Sequence, residues 1–341
     1  MSRGVKSWGG AAICAAIVAA AMLFMQNAHA DDMHVQIWAP RDAQSAGALI
    51  VAQEKGFFKK AGLDSELKFV SSGQEIPAGM AGGTISLAVA SWTNPMAMNA
   101  NGIPVQVLSK VADISPAIGV VVRRSAGIKV AKDLEGKKIG ITRISVLMSV
   151  LERGCATYGC DVSKMTLVNM QPQDIVLAFE RGDVDAVMTN EPWTTYVQEH
   201  GGTWLFSAGQ SFIPGQEGAK KIDTIYTALF APPAFVSKNP KTVDATLRGL
   251  SEAIEWTKAN QGEAAKVIGQ VISIPPNVAE NTLSKVNFGL DMSLAWASEY
   301  DTKADYLLSI KELRKKVVAK DVFNSAPLHA VCPNCAPAPA Q

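Results

Sequence analysis

Histidine is scarce, with four in 341 residues, and one of these, His29, falls in an N-terminal leader. The other three, His34, His200 and His329, lie far apart and none stands at metal-ligand or nucleophile–base spacing. The G-x-S-x-G, P-loop and H-E-x-x-H patterns are missing, as is a G-x-G-x-x-G after a strand. These absences leave no recognisable catalytic constellation, and neither an enzyme, a cofactor nor a metal is expected. Charge of one sign is also lacking: 32 Lys and Arg face 31 Asp and Glu. No basic cluster interleaves with aromatics, which argues against a nucleic-acid surface. The run Arg314-Lys315-Lys316 reads as the charged end of a helix.

Long apolar runs are lacking after the first thirty residues. Before that point Arg3 and Lys6 precede an apolar stretch from Gly9 to Met25, and Ala28-His29-Ala30 supplies small residues two apart. This is the pattern of a secretory signal peptide (1–30) cleaved after Ala30, with an uncleaved anchor as the rival reading. The chain is therefore expected to be exported, periplasmic and soluble. Cys14 lies inside the apolar run, away from any lipobox position.

Four cysteines follow the leader. In an exported chain the close pairs Cys155/Cys160 and Cys332/Cys335 suggest two local disulfides. The alternatives are a redox motif at Cys332-Pro-Asn-Cys335 and a zinc site joining both pairs. The first is disfavoured by the Pro/Ala-rich setting, "CPNCAPAPAQ", and the second by the lack of any sign that the pairs meet.

The chain also repeats itself. "VQIWAPRDAQSAGALIVAQEKG" (35–56) runs strand, polar break, helix, glycine, and "IGITRISVLMSVLERG" (139–154) follows the same order. "LKFVSSGQEI" (67–76) is matched by "LVNMQPQDI" (167–175), and "MAGGTISLAVASWTNP" (80–95) by "FERGDVDAVMTNEP" (179–192). Arg41 and Arg143 are 102 positions apart, while Gln74 and Gln173, like Gly83 and Gly182, are 99 apart. Each half reads βαβαβ, an α/β pattern implying a mainly parallel sheet flanked by helices. Beyond it, a strand is expected at 225–231 and helices at about 240–259, 261–270, 276–298 and 302–318.

In such sheets ligands bind beyond the carboxyl ends of the strands, where helix N-termini present unpaired N–H groups. The strand-to-helix corners supply the candidate site residues. In the first half these are Arg41, then Ser71, Ser72 and Gln74, then Ser91, Trp92, Thr93 and Asn94. In the second they are Thr142, Arg143 and Ser145, then Gln171, then Asn190, Glu191 and Trp193. Any one corner is explained by helix capping. Six corners in two related halves, with an arginine in each half, would converge on a small anionic or polar molecule. Either tryptophan is a ligand wall or ordinary core.

Five segments carry a resemblance. "VAQEKGFFKKAGLDSELKFV", "AGGTISLAVAS", "DLEGKKIGITRIS", "GDVDAVMTNEPW" and "FVSKNPKTVDATLRGLSEAIEW" resemble, in order, the nitrate/sulfonate/taurine family of substrate-binding proteins of ABC importers. That family also includes binders of thiamine-pyrimidine precursors. The resemblance implies a two-lobed periplasmic binding protein clamshell of type II. It would hold a small-molecule ligand between its lobes and deliver it, as a monomer, to a membrane permease and its ATPase. Lobe one would comprise 31–122 with 228–325, lobe two 123–227, and a Pro/Ala/Cys-rich tail 326–341. The crossovers are expected near "VVVRR" (120–124) and "IYTALFA" (225–231). Where the family often shows Arg-Gly-Ser-Thr, this chain has Arg143-Ile144-Ser145-Val146. The loss of a glycine and a hydroxyl there favours a bulkier, partly apolar ligand, such as an aromatic or alkyl carboxylate or sulfonate or a pyrimidine, over a bare sulfonate or nitrate. A sensory or partner-binding protein on the same scaffold is the other alternative.

Overall fold

The computed structural model describes residues 33–142 and 145–338, Ser145 by its backbone alone. The leader, Arg143 and Ile144 lie outside them. The first sheet begins with β1 (Met33–Pro40), whose alternating Val35, Ile37 and Ala39 turn inward, and Pro40 closes the strand. Asp42 caps α1 (Ala43–Glu54) by accepting from Ser45 N at 2.6 Å. Residues 43–52 of α1 are all buried, because the helix lies between the sheet and later helices and needs no polar face. The short α2 (Phe57–Lys60) leads to β2 (Leu63–Val70). Helix α3 (Ile76–Ala81), β3 (Ala88–Ser91), α4 (Thr93–Ala100) and β4 (Gln106–Asp113) complete the first unit.

The second unit repeats this order. It runs β5 (Ile118–Arg123), β6 (Lys138–Ile141), α5 (Ser145–Tyr158), β7 (Thr166–Asn169), α6 (Pro172–Arg181), β8 (Ala186–Asn190), α7 (Trp193–Glu199) and β9 (Gly202–Ser207). Proline opens α6 where its missing N–H is harmless, and Gly182 at φ 86° closes it in the left-handed conformation. Two short strands, β10 (Gln210–Ser211) and β11 (Gly218–Ala219), form a ribbon beside β9, and β12 (Tyr226–Ala231) returns the chain to the first sheet.

Among the described residues, and with β13 (Asn287–Asp291) from the C-terminal part, the sheets run β13-β4-β12-β3-β1-β2 and β11-β10-β9-β5-β8-β6-β7. The parallel pairs are β1 with β2 and β3, and β6 with β7 and β8. These are the strands of the sequence repeat. The remaining pairings are antiparallel, so each sheet is mixed. The cause is a strand exchange: β12, from beyond the second unit, inserts between β3 and β4, and β5, directly after β4, inserts between β8 and β9. The boundary expected at 122/123 therefore falls inside β5, because Ile118 to Val122 already pair with β8. The chain crosses between sheets just before this, at 114–117. The crossing segments are stitched together where Ile114 N donates to Ile225 O at 2.9 Å and Ile225 N to Ser115 Oγ at 2.9 Å.

The C-terminal part holds α8 (Pro233–Lys238), α9 (Pro240–Ala259), α10 (Gln261–Ile272), α11 (Pro276–Leu283), β13 (Asn287–Asp291), α12 (Leu294–Ser309), α13 (Ala319–Val322) and α14 (Ala326–Val331). The helix expected across 276–298 is two helices with β13 between them, since Asn287 and Phe288 pair with Asp113 and Ala112 of β4. The helix expected at 302–318 starts at Leu294, where Ser293 caps it, and ends at Ser309. Arg314–Lys316 lie outside it, Lys316 pairing with Asp305 at 2.7 Å. Among the described residues no helix is long and apolar enough to cross a membrane. Cys155–Cys160 and Cys332–Cys335 are both disulfide-bonded. The second anchors the tail, with Met292 N donating to Cys335 O at 2.7 Å and Leu328 fully buried.

Candidate functional site

The exchange of strands brings the corner after β1 against the corner after β8. Gln44, buried in the first turn of α1, donates through Nε2 to the Glu191 carbonyl at 2.6 Å, and Asn190 Nδ2 donates to the same oxygen at 2.7 Å. One peptide oxygen thus joins a helix start of one half to a strand end of the other. Asp42 lies two residues before Gln44. The residue as a whole is only half-buried, but its carboxyl is desolvated, and burial pushes its pKa up to about 6 against the hydrogen bonds from Ser45.

The other corners tie themselves together within each half. Ser72 accepts from Gln74 N at 3.3 Å while its own N–H donates to the Glu75 carboxylate at 3.0 Å, a capping box. Ser91 Oγ and Thr93 Oγ1 are 3.0 Å apart, and Asn94 Nδ2 reaches back to Gly73 O at 3.2 Å, joining the second corner to the third. In the second half Thr142 Oγ1 donates to Met170 O at 2.8 Å, doing the same. Ser71 and Gln74 are exposed, as is Gln171 ahead of α6. Trp193 is half-buried, its ring 6.0 Å from that of Tyr196.

Three expected residues are engaged elsewhere. Arg41 turns towards its own half: Nη2 donates to Val271 O at the end of α10 (3.0 Å), and the guanidinium lies 5.6 Å from the Phe69 ring centroid. Trp92 is fully buried under α12, against Tyr226, Trp296 and Tyr300, which is the core reading. Glu191 is fully buried too. Its carboxylate receives Lys285 Nζ at 2.7 Å and Thr195 Oγ1 at 2.6 Å, while Asn281 Nδ2 donates to the same threonine hydroxyl at 2.6 Å.

A second buried network lies where α12 meets α5. Lys303 Nζ donates to Asp223 Oδ2 at 2.6 Å and to Ser149 Oγ at 3.2 Å, and Arg153 Nη1 donates to Asp223 Oδ1 at 2.9 Å. Burial pushes the Asp223 carboxyl up, but Lys303, Ser149 and Arg153 outweigh it and hold it below the usual carboxylate range. A cavity of about 250 Å³ beside them is lined by charges already paired with one another, Arg153 and Lys303 with Asp223, and Lys221 with Glu299. None of this was visible in the corner patterns. Gln44 stands three residues beyond Arg41, but nothing local marks Lys285 or Lys303.

The family profile described as "NMT1/THI5 like" matches residues 43–264. An aliphatic sulfonates-binding protein of Bacillus subtilis, so named in provisional terms, is 26% identical over 289 residues, 83% of this chain and 84% of its own length. Among solved structures, the periplasmic aliphatic sulphonate-binding protein of Escherichia coli superposes with a TM-score of 0.71 at 17% identity, over 85% of this chain and 96% of that one. The desulfurization enzyme DSZB superposes with a TM-score of 0.64 at 16% identity, over 87% and 98%. At such identities the structures show a shared fold, and that fold carries both binders and an enzyme.

Proposed function

Since the chain belongs to the NMT1/THI5-like family, we propose that it is the exported solute-binding component of an ABC importer, with its leader removed after Ala30 in the periplasm. It works as two lobes, one built on each sheet, and captures a small organic solute of sulfonate, nitrate or carboxylate type for a membrane permease. The observation that carries this reading is the direct apposition of the two repeats' corners through Gln44 and the Glu191 carbonyl. That contact sets the first turn of α1 against the segment between β8 and α7, and helix N-termini favour an anionic head group. Relatives named for sulfonate and taurine binding support the same solute class. No catalytic role is assigned.

A second reading, an aromatic acid or pyrimidine on the same scaffold, is favoured by the sequence, in which Ile144 replaces a glycine that would let a bare anion approach and Val146 replaces a hydroxyl that would donate to it. A thermal-shift screen with taurine, alkanesulfonates, nitrate, bicarbonate, aromatic carboxylates and aminopyrimidines tests both. The expected result is a raised melting temperature with one class, because a ligand that binds only the folded state stabilises it. No shift across the panel overturns solute binding.

A further inference from the structure

We propose that α11 and α12 form a two-sided clasp holding the lobes closed, and that Glu191 acts in closure, through Lys285, rather than as a ligand contact. The proposal rests on the two-lobe reading above.

On one flank Lys285 follows α11, in the segment leading to β13 of the first sheet. Its side chain crosses to the second sheet, over the Trp204 ring (5.9 Å), and ends on Glu191. Its three ammonium donors are accounted for by Glu191 Oε1 at 2.7 Å, Asn281 Oδ1 at 2.8 Å and Asn281 O at 3.2 Å. Glu191 engages both carboxylate oxygens, one with Lys285 and the other with Thr195. Asn277, earlier on α11, reaches Glu199 at the end of α7 at 3.4 Å.

On the other flank α12 faces both halves. Trp296 and Tyr300 pack on Trp92 of the first half, while Lys303 and Tyr306 reach Ser149, Asp223 and Glu152, the last at 3.0 Å. Each flank therefore contributes a lysine from the C-terminal segment and a fully buried carboxylate, from the second half at Glu191 and from the returning crossover at Asp223. A buried ion pair adds little net stability over an apolar pair of the same shape, but it tolerates only one geometry. If the lobes part, Glu191 loses Lys285 and Ser149 loses Lys303, so these contacts specify the closed arrangement.

Small-angle X-ray scattering of the mature chain without added solute tests this. The variants are Lys285→Met, Lys303→Met and the double Glu191→Gln/Lys285→Met, in which no lone charge is left buried. The expected result is a larger radius of gyration in all three, with the double variant recovering thermal stability but not compactness. A pair with a purely structural role would lower the melting temperature and leave the scattering unchanged. Profiles of the double variant and of Lys303→Met that superpose on wild type overturn the clasp. Failure of the solute screen leaves this comparison intact, so the two readings fall separately.

Discussion

The indoles of Trp92 and Trp296 lie 6.4 Å apart with planes only 16° from parallel, and Phe323 stacks on Trp296 at 4.6 Å. A residue at a strand-to-helix corner is thereby sealed by a helix more than two hundred positions later. Trp296→Ala is expected to lower stability by about 3–5 kcal/mol, read from urea unfolding. Trp92→Ala should cost a similar amount. If Trp92 were a ligand wall, its loss would instead weaken solute binding and spare the fold.

Asp223→Asn removes the carboxylate that pairs with both Lys303 and Arg153 in their network. Breaking such a pair from one side leaves an uncompensated ammonium, and the expected loss is about 3–5 kcal/mol at neutral pH. Because the Asp223 carboxyl is held low in the folded state, its contribution is present above the ordinary aspartate range. It is lost as pH falls through the folded pKa, so the variant should show a shallower acid limb in a plot of melting temperature against pH.

Asp42 has the opposite sign. Its folded pKa of about 6 exceeds the ordinary 3.8, so the stability tied to its protonated form is complete below about 3.8 and lost as pH rises through 6. Asp42→Asn keeps a good N-cap and cannot ionise. It should flatten the stability profile between pH 4 and 6 and raise stability at pH 7 by about 1–3 kcal/mol. A variant with the wild-type pH slope would show that another group sets it.

The two arginines of the repeat should separate cleanly. Arg41→Ala gives up a bond to Val271 O and contact with Phe69, and should leave any solute-induced thermal shift in place. Arg143→Ala should abolish the shift produced by an anionic solute without altering the melting temperature of the free protein. Equal effects from both changes would return Arg41 to the site.

The Cys155–Cys160 bridge closes a loop with a sequence separation of 5. On chain-entropy grounds, replacing both cysteines by serine should cost about 2 kcal/mol. Mass spectrometry after alkylation should find no reactive thiol among Cys155, Cys160, Cys332 and Cys335.

The repeat was legible because it is local. Offsets of about one hundred residues, glycines such as Gly182 closing helices, and proline opening α6 can all be read in short windows, and they marked the parallel strands of both sheets. What stayed hidden depends on partners far along the chain. Nothing around Trp92 distinguishes a cleft wall from a core residue until Trp296 and Tyr300 are placed on it. Glu191 looked like a ligand contact because Lys285, 94 positions away, has no pattern of its own. The corner polar groups carry a signal, but their bonds close within one corner, as Ser91 does with Thr93, or on a neighbouring one, as Asn94 does on Gly73 and Thr142 on Met170.

The exchanged strands also bear on how the chain reaches this state. β1, β2 and β3 can pair as soon as they have emerged, and β4 follows once α4 has been made. Yet β4 gains its place in the sheet only when β12 inserts between it and β3, after the whole second unit has been delivered. Its exposed edge must wait through that interval, and contacts of such long sequence separation form slowly. An unpaired edge of this kind is a surface that other chains can join, so escorting this protein matters most after β4 has emerged and before β12 arrives.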